Sequence, residues 1–355
     1  MDRPFPGSIR KTALAAGGTK RLYEMGREEL TETEGISENY ADFIIMKRNE
    51  WNIDAEYDRL MGSGINFIPY YDERYPERLK QTAGHPFALF CLGKLPPDDR
   101  HSVAVIGARN CSEYGRMMAK RFAADLAGYG VSVVSGMAYG IDGISQEAAL
   151  DAGGGSYAVL GCGVNICYPA SNRRLYGRLK ENGGILSDYG LYTKPSSRLF
   201  PPRNRIISAL SDLVLVIEAR EKSGTMITVD MALEQGREVA VVPGRITDPL
   251  STGCNRLLNQ GAAAVQSAED IMYMLDESFD NNRKTGKRPE VKLDKNEGLV
   301  YGCLEPYARS IGELSDLSGL ELRDVICALT ELARQGLASE TGKGYYVRIR
   351  DCAVV

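Results

Sequence analysis

Short apolar runs recur along the middle of the chain and alternate with segments of helical spacing. The runs begin at Ser102, Val131, Ser156, Ile185, Leu213 and Glu238. Continuous apolar runs of this length are typical of strands covered on both faces, as in a parallel sheet between helices. Helices are predicted from about Tyr114 to Leu126, from Asp142 to Ala152 and near Ile227 to Gln235. The alternation predicts an α/β fold with a doubly wound, Rossmann-like parallel sheet.

The segment before this region predicts two further strands and a small helical domain. The strands are I-N-F-I-P-Y at Ile65 and the run from Pro86 to Phe90. The helical domain is SAM-like or helix-hairpin-helix-like, with one helix running from Asn39 to Leu60. Gly7 to Lys11 is compatible with a helix-hairpin-helix turn, although a helical packing domain is the favoured interpretation.

The segment after this region predicts a linker and a third domain. The polar, charged stretch after Met274 is typical of a flexible linker. Three helical segments, the turn Ser318-Gly319 and two short strands then predict a winged-helix domain. The predicted boundaries are 1–62 for the helical domain, 63–276 for the Rossmann-like domain, 277–295 for the linker and 296–350 for the winged helix.

Composition restricts the chemistry that this fold could carry. The 355 residues are 43% hydrophobic and 25% charged, which is typical of a soluble protein. The net charge of −4 means that any phosphate site must be a local basic patch on a mildly acidic body. Without an apolar run that could cross a bilayer or a signal-peptide core, we expect a cytoplasmic protein with no membrane partner.

Cysteine and histidine usage argues against a metal centre. The eight cysteines form no C-x-x-C pair, and His85 and His101 are the only histidines. A zinc site is therefore not expected, and reduced thiols that pack as small apolar residues are the better interpretation. We expect no metal and no cofactor.

One stretch, S-R-L-F-P-P-R-N-R-I-I-S-A-L-S at residues 197–211, concentrates candidate binding chemistry. Two successive prolines fix φ and predict a rigid turn, with a helix that begins after them. The turn places Arg198, Arg203 and Arg205 beside Phe200 and Asn204. Cations, an aromatic face and the free amides of a helix start suit a phosphate backbone with an unstacked base. The alternative is a proline-delimited helix start with solvated arginines.

The ends of the predicted strands carry further candidate residues, because ligands of such sheets bind beyond the carboxyl ends of the strands. These ends are Gly107-Ala-Arg109, Ser135-Gly136, Gly161-Cys-Gly163, Glu218 and Pro243-Gly244. Glycine lets backbone amides approach a phosphate, but it also serves ordinary tight turns. The first turn matches neither G-x-G-x-x-G nor a P-loop, so an NAD or NTP site is not expected.

Seven sequence blocks together resemble one protein family. The blocks are V-I-G-A-R-N at Val105, S-G-M-A-Y-G-I-D at Ser135, A-V-L-G-C-G-V-N-I-C-Y-P at Ala158, F-P-P-R-N-R-I-I-S at Phe200, V-I-E-A-R-E-K-S-G-T-M-I-T at Val216, E-Q-G-R-E-V-A-V-V-P-G at Glu234 and G-C-N-R-L-L-N-Q-G-A at Gly253. Their order and content resemble the DNA processing protein A family, also called DprA or Smf. The resemblance covers roughly Gly62 to Met274.

The resemblance implies a function and a set of site residues. Members of the family bind single-stranded DNA, act as homodimers and load the RecA recombinase onto incoming strands during natural transformation. By matching motifs, the implied DNA-binding residues are Arg109, Ser135, Gly136, Phe200, Arg203, Asn204, Arg205, Lys222, Ser223 and Gly224. The implied partners are single-stranded DNA, RecA and a second copy of the chain, and no catalytic residue is implied.

The topology of a doubly wound sheet predicts where the arginines of this set lie relative to one another. Arg109 follows the first strand, and Arg203 and Arg205 precede the fifth, so their charges are expected to converge on one path of phosphates. Phe200 is expected to stack a base. The alternative is that Arg203 or Arg205 forms an internal salt bridge that supports the fold.

Two other function classes remain open. The S-G-T turn resembles that of nucleotide-cleaving phosphoribohydrolases, but Thr228 occupies the position of their catalytic glutamate and cannot stabilise a developing positive charge. A winged-helix transcription regulator is the other class. Its recognition helix would carry Glu321, Asp324, Glu331, Arg323 and Arg334. Because these acids repel phosphate, a protein contact or a packing role fits that helix better.

Overall fold

The computed structural model describes residues 12–50, 52–276, 279, 290–291, 293–305, 307–349 and 353–354. The chain divides into two compact units, Met1–Cys111 with Met118–Phe279, and Ser112–Met117 with Asp280–Val355. Within the described residues, seven cysteines are free thiols, and no helix is long and apolar enough to cross a membrane.

Within the described residues, residues 12–15 are helical, and four helices with defined bounds follow before the sheet. They are α1 (Thr19–Glu24), α2 (Arg27–Glu32), α3 (Glu38–Glu50) and α4 (Ile53–Gly62). The sequence predicted a single helix from Asn39 to Leu60, but the structure has two. The second starts anew because the Asn52 side chain accepts the N–H of Ala55 at 3.0 Å and caps α4. The segment from Gly7 to Lys11 lies outside the described residues.

The first unit contains a nine-stranded sheet in the order β1-β2-β6-β5-β4-β3-β7-β8-β9. The strands are β1 (Ile65–Pro69), β2 (Ala88–Gly93), β3 (Ser102–Ile106), β4 (Ser132–Ser135), β5 (Ser156–Val159), β6 (Gly183–Ser187), β7 (Leu213–Val216), β8 (Glu238–Val241) and β9 (Ala263–Ala264). Strand β2 runs antiparallel to both β1 and β6, and the other neighbouring pairs of this sheet are parallel. The predicted α/β fold with a mostly parallel central sheet is therefore confirmed.

Helices cover both faces of this sheet. They are α5 (Glu77–Lys80), α6 (Glu113–Gly128), α7 (Ile141–Asp151), α8 (Arg173–Asn182), α9 (Phe200–Ala209), α10 (Gly224–Glu234), α11 (Thr252–Asn259) and α12 (Ala268–Leu275). Alternate residues of a strand point to opposite faces. Accordingly, Ala104 packs in one apolar core with Ile206 of α9, and Val105 packs in another with Phe122 of α6.

The strand order creates a crevice at one point of the sheet. The chain adds strands on one side of β3, from β4 to β6, and then crosses to its other side with β7. The loops after β3 and β7 diverge there, and ligands of open α/β sheets bind at such a switch point. The edge formed by the carboxyl ends of the parallel strands is called the carboxyl edge below.

The second unit is a small helical domain with its own sheet. Its elements are β10 (Glu290–Val291), α13 (Lys295–Cys303), β11 (Arg309–Ser310), α14 (Ile311–Ser318), α15 (Leu322–Arg334), β12 (Ala338–Gly342), β13 (Tyr345–Arg348) and β14 (Ala353–Val354). Strands β11, β13 and β12 form an antiparallel sheet, and Leu314, Leu329 and Leu332 lie in a core between the helices. Gly319 ends α14 in the left-handed conformation, with φ of 69°.

Two glycines at the start of β6 allow the sheet to close around that strand. A Cβ on Gly184 would overlap the carbonyl oxygen of Lys94, and a Cβ on Gly183 would overlap that of Ser156. Because both obstacles are backbone atoms of neighbouring segments, a side chain could fit only if the strands moved apart.

We expect Gly184→Ala to lower the free energy of unfolding by about 1–3 kcal/mol, the usual cost of an added group in a packed interior. Gly177→Ala is the matched control, because it lies in α8 and its Cβ would meet nothing within 4 Å. That change should raise stability by up to about 1 kcal/mol. Urea denaturation of both variants is the measurement, and equal midpoints for Gly184→Ala and the unchanged protein would contradict the account.

Candidate nucleic-acid interface

Arg203 lies inside the protein rather than at its surface. Helix α9 begins at Phe200, with both prolines in its first turn, instead of after them. This start directs Arg203, which is only 5% exposed, toward the strand ends. Its Nη1 donates to the carbonyl oxygen of Gly136 at 3.0 Å and to that of Val159. Arg203 therefore ties α9 to the ends of β4 and β5.

The turn after β4 is filled by this arginine and by a carboxylate. The N–H of Gly136 donates to Oδ2 of Asp142 at 3.1 Å, and the buried hydroxyl of Ser135 donates to the carbonyl oxygen of Val105 at 2.7 Å. A Cβ on Gly136 would lie 2.8 Å from both Arg203 Nη2 and Asp142 Oδ2, so a side chain would fit only if one of these two buried groups moved. The sequence predicted a phosphate at this turn, but protein groups occupy these donors.

Opposite charges compensate each other in this buried turn. Burial raises the pKa of the Asp142 carboxyl, and the guanidinium of Arg203 acts against that shift. Burial likewise lowers the pKa of Arg203, and Asp142 acts against it. Each group thus reduces the cost of burying the other.

Arg205 forms the internal salt bridge that the sequence left open. Its Nη2 lies 2.6 Å from Oδ2 of Asp188, whose side chain is 1% exposed, and its Nη1 donates to the carbonyl oxygen of Gly84 at 2.8 Å. Burial raises the pKa of Asp188, and Arg205 opposes this. Arg205 therefore ties α9 to the end of β6 and to the segment before β2.

Arg109 remains exposed and lies against an aromatic pair. Its Cζ is 5.6 Å from the ring centroid of Phe200, within cation–π distance. Tyr168 stacks on Phe200, with centroids 5.5 Å apart and planes at 15°. Phe200 is half-buried, and so is Asn204, whose Oδ1 accepts from Arg203 Nε at 3.2 Å. The structure therefore brings Arg109 and Phe200 together at the surface, whereas the guanidinium of Arg203 points into the protein.

The turn after β7 leads into α10 with an exposed lysine. Lys222 is exposed, Ser223 is the N-cap residue and Gly224 begins the helix. The Ser223 hydroxyl oxygen is shielded from solvent and has no hydrogen-bond partner in the described structure. A helix start carries partial positive charge and free N–H groups. This turn can therefore accept an anion beside the crevice between β3 and β7.

Other exposed cations at the carboxyl edge were not singled out as binding residues from the sequence. They are Arg173, Lys194, Arg220 and Arg245, in segments that follow β5, β6, β7 and β8. Of the two acids that follow β7, Glu218 is buried and Glu221 pairs with Arg256. The signal that could have found these cations is their recurrence after successive apolar runs.

One family model and several curated proteins match this chain in sequence. A family model described as DNA recombination-mediator protein A matches residues 66–276. Protein Smf of Escherichia coli K12 is 37% identical over 297 residues, which are 81% of this chain and 79% of the relative. DNA processing protein DprA of Bacillus subtilis is 40% identical over 215 residues, which are 60% of this chain and 72% of the relative.

Solved structures of two bacterial DNA processing proteins are among those similar to this one. The X-ray structure of DNA processing protein A from Streptococcus pneumoniae has a TM-score of 0.61 at 31% identity, covering 79% of this chain and 99% of that one. DNA processing protein A from Helicobacter pylori, solved to describe its single-stranded DNA binding mode, has a TM-score of 0.55 at 30% identity. The match covers 61% of this chain and 97% of that one.

The buried position of Arg203 generates a stability prediction. Arg203→Ala should lower the free energy of unfolding by about 3–5 kcal/mol, because it leaves Asp142 buried without its counter-charge. Arg109→Ala should change stability by less than about 1 kcal/mol, since Arg109 is exposed. Thermal and urea unfolding compare the two variants. An Arg203→Ala protein that unfolds like the unchanged chain would show that the guanidinium has no such structural role.

Proposed function

Because the chain belongs to the DNA recombination-mediator protein A family, we propose that it binds single-stranded DNA along the carboxyl edge of its sheet. The observation that supports this most is the set of exposed cations around the switch point, including Arg109 and Lys222, beside the Phe200 and Tyr168 rings. The relative from Helicobacter pylori, 30% identical, has a single-stranded DNA binding mode.

The proposed contacts divide into two kinds. Arg109 and Lys222 bind phosphates directly, and the start of α10 adds backbone N–H groups near Ser223 and Gly224. The hydroxyl of Ser223, which lacks a partner, gains one from a phosphate oxygen. Ser135, Gly136, Arg203 and Arg205 instead position these contacts from inside the protein, and Asn204 orients Arg203.

Unpaired bases explain why a single strand is preferred over a duplex. A base in a duplex is stacked on its neighbours, whereas an unpaired base exposes a face that an aromatic ring can cover. Phe200 lies between the guanidinium of Arg109 and the ring of Tyr168. A base that stacks near Phe200 would therefore contact a cluster of these groups rather than one isolated ring. Aromatic contacts and phosphate contacts together favour a flexible single strand.

The C-terminal unit is proposed to be a winged helix that contacts protein rather than DNA. Its third helix, α15, places Leu322 and Ile326 at the surface. Of the arginines in this helix, Arg334 donates to Glu331 at 2.8 Å, so part of its positive charge is already compensated. An apolar surface with acidic neighbours is poorly suited to a phosphate backbone.

A catalytic function is not supported, because the chain lacks the catalytic glutamate of phosphoribohydrolases with a similar turn sequence. Thr228 is buried in α10 at the corresponding position, and its hydroxyl cannot replace a carboxylate in stabilising positive charge. We therefore favour a binding role over nucleotide hydrolysis.

The proposed partners follow from the family. A recombination mediator acts between a single strand and a recombinase, so we propose that this protein works as a homodimer and loads RecA on DNA during natural transformation. Adding the protein should raise the rate at which labelled RecA coats single-stranded DNA, and Arg109→Ala should lose most of that gain. An unchanged rate, with single-strand binding intact, would rule out the loading role.

The central prediction compares two arginines at opposite ends of β3. Arg109→Ala should weaken single-strand binding and lower its salt-dependence slope by about 0.7, the value for one lost phosphate contact. Arg100→Ala is the control, since it removes an exposed arginine that precedes the amino end of the same strand. Gel shifts with single-stranded and duplex DNA at two salt concentrations measure both quantities. Equal affinity for the two DNA forms, or equal effects of the two variants, would refute the proposed site.

A further inference from the structure

Exposed tyrosines follow three neighbouring strands of the central sheet. Between residues 118 and 276, all of which are described, four tyrosines are exposed. Tyr139, Tyr168 and Tyr192 lie in the loops that follow β4, β5 and β6, whereas Tyr273 lies on α12. Three of the four therefore belong to the carboxyl edge, and they follow three strands that are direct neighbours in the sheet.

These three rings offer more open aromatic surface than Phe200 does. Tyr139 is 51% exposed, Tyr168 41% and Tyr192 62%, while Phe200 is half-buried between its neighbours. Tyrosine carries a large apolar face, and leaving several such faces in water at one edge is unfavourable unless a ligand covers them. An unpaired base is a flat apolar partner of suitable size.

Hydrogen bonds hold the three loops against each other. Asn172, beyond the loop of Tyr168, donates to the carbonyl oxygens of Met137 at 3.0 Å and Ala138 at 3.3 Å, next to Tyr139. The N–H of Tyr192 donates to Asn165 Oδ1 at 3.0 Å, which joins the loops after β6 and β5. The rings are therefore carried by one connected rim rather than by independent loops.

The backbone at Tyr192 is consistent with a fixed position. Its φ is 61°, in the left-handed region that residues with a side chain rarely adopt. The N–H of Gly163 donates to the carbonyl oxygen of Thr193 at 2.9 Å, beside the bond from Tyr192 to Asn165. These two hydrogen bonds hold the backbone of Tyr192 and Thr193 against the loop after β5, and a backbone that is already ordered loses little freedom when a base covers its side chain.

The rim continues into the cationic part of the site. The N–H of Ile141, two residues after Tyr139, donates to the carbonyl oxygen of Ala108 at 3.2 Å, next to Arg109. Arg109 follows β3, and Lys222 follows β7 on the far side of the switch point. Along the carboxyl edge, the three exposed tyrosines therefore lie over β6, β5 and β4, where Arg173 and Lys194 are also exposed, and Arg109 and Lys222 lie over β3 and β7.

We propose that Tyr139, Tyr168 and Tyr192 form a stacking platform for unpaired bases, so that the base-dependent part of DNA affinity resides over β4, β5 and β6. This inference rests on the proposed single-strand binding and deepens it. The phosphates of the same strand are held by Arg109 and Lys222, which supply the salt-dependent part. The platform has no sequence code, because every base has a face that can stack.

The test separates bases from phosphates by using two probes of equal length and charge, a dT oligonucleotide and an abasic oligonucleotide. The unchanged protein should bind the dT probe at least about fivefold more tightly, as expected for one or more stacked bases. Each single change, Tyr139→Ala, Tyr168→Ala or Tyr192→Ala, should weaken dT binding by roughly 5- to 150-fold without lowering the salt slope. The triple variant should lose most of the dT preference, because only Phe200 then remains to stack a base, and phenylalanine at the three positions should restore it.

The controls keep the outcomes distinct. The control variant Tyr273→Ala removes an exposed ring from α12 and should leave the dT preference unchanged. The adjacent residue, Met272, lies with His101 and Val131 near the amino ends of β3 and β4, at the edge of the sheet opposite to the carboxyl edge. Thermal melts establish that each variant is folded. If the unchanged protein binds neither probe, the proposed function fails. If it binds both equally, or if the folded triple variant keeps its preference, single-strand binding stands and the platform is refuted.

Discussion

The buried guanidinium of Arg203 is the interaction on which the carboxyl edge depends. It joins α9 to the ends of β4 and β5 through two carbonyl oxygens and faces Asp142 across Gly136. A buried arginine is stable only when its donors and its charge are matched, because the desolvation of an unpaired ion costs several kcal/mol. The turn after β4 and the start of α9 must therefore keep a fixed relative position.

This constraint divides the arginines of the site by function. Arg205 is fixed by Asp188 in the same way that Arg203 is fixed by the turn after β4, and together they anchor α9 to three strands. Arg109, by contrast, has its guanidinium at the surface, over Phe200. The charges inside are compensated, whereas Arg109 and Lys222 form no salt bridge with any described residue, so the rigid rim carries local positive charge on a protein of net charge −4.

The rigid rim also lowers the entropic cost of binding a flexible ligand through a small number of cations. A single strand loses conformational freedom when it binds, and surfaces that are already ordered reduce the additional cost on the protein side. The hydrogen bonds from Asn172 and Tyr192 connect the loops after β4, β5 and β6 before any ligand is present. Aromatic and cationic groups can then act on one strand at the same time.

The sequence by itself determined the central fold and much of the composition of the site. Apolar runs such as those at Ser102 and Leu213 became buried parallel strands, because a continuous run must be covered on both faces. The motifs were sufficient to indicate the family and to place Arg109 after β3. The break between α3 and α4 was missed, because the local cap at Asn52 interrupts a pattern that otherwise continues.

Only the tertiary structure decided which arginines face solvent. Arg203 and Arg205 stand beside Arg198 in one short stretch, and nothing in their spacing distinguishes a buried cation from an exposed one. The distinction depends on Asp142, Asp188 and Gly136, which are distant in sequence and reach α9 through the strand order. Burial of charge is decided by partners across the fold, whereas strand formation is decided by neighbours along the chain.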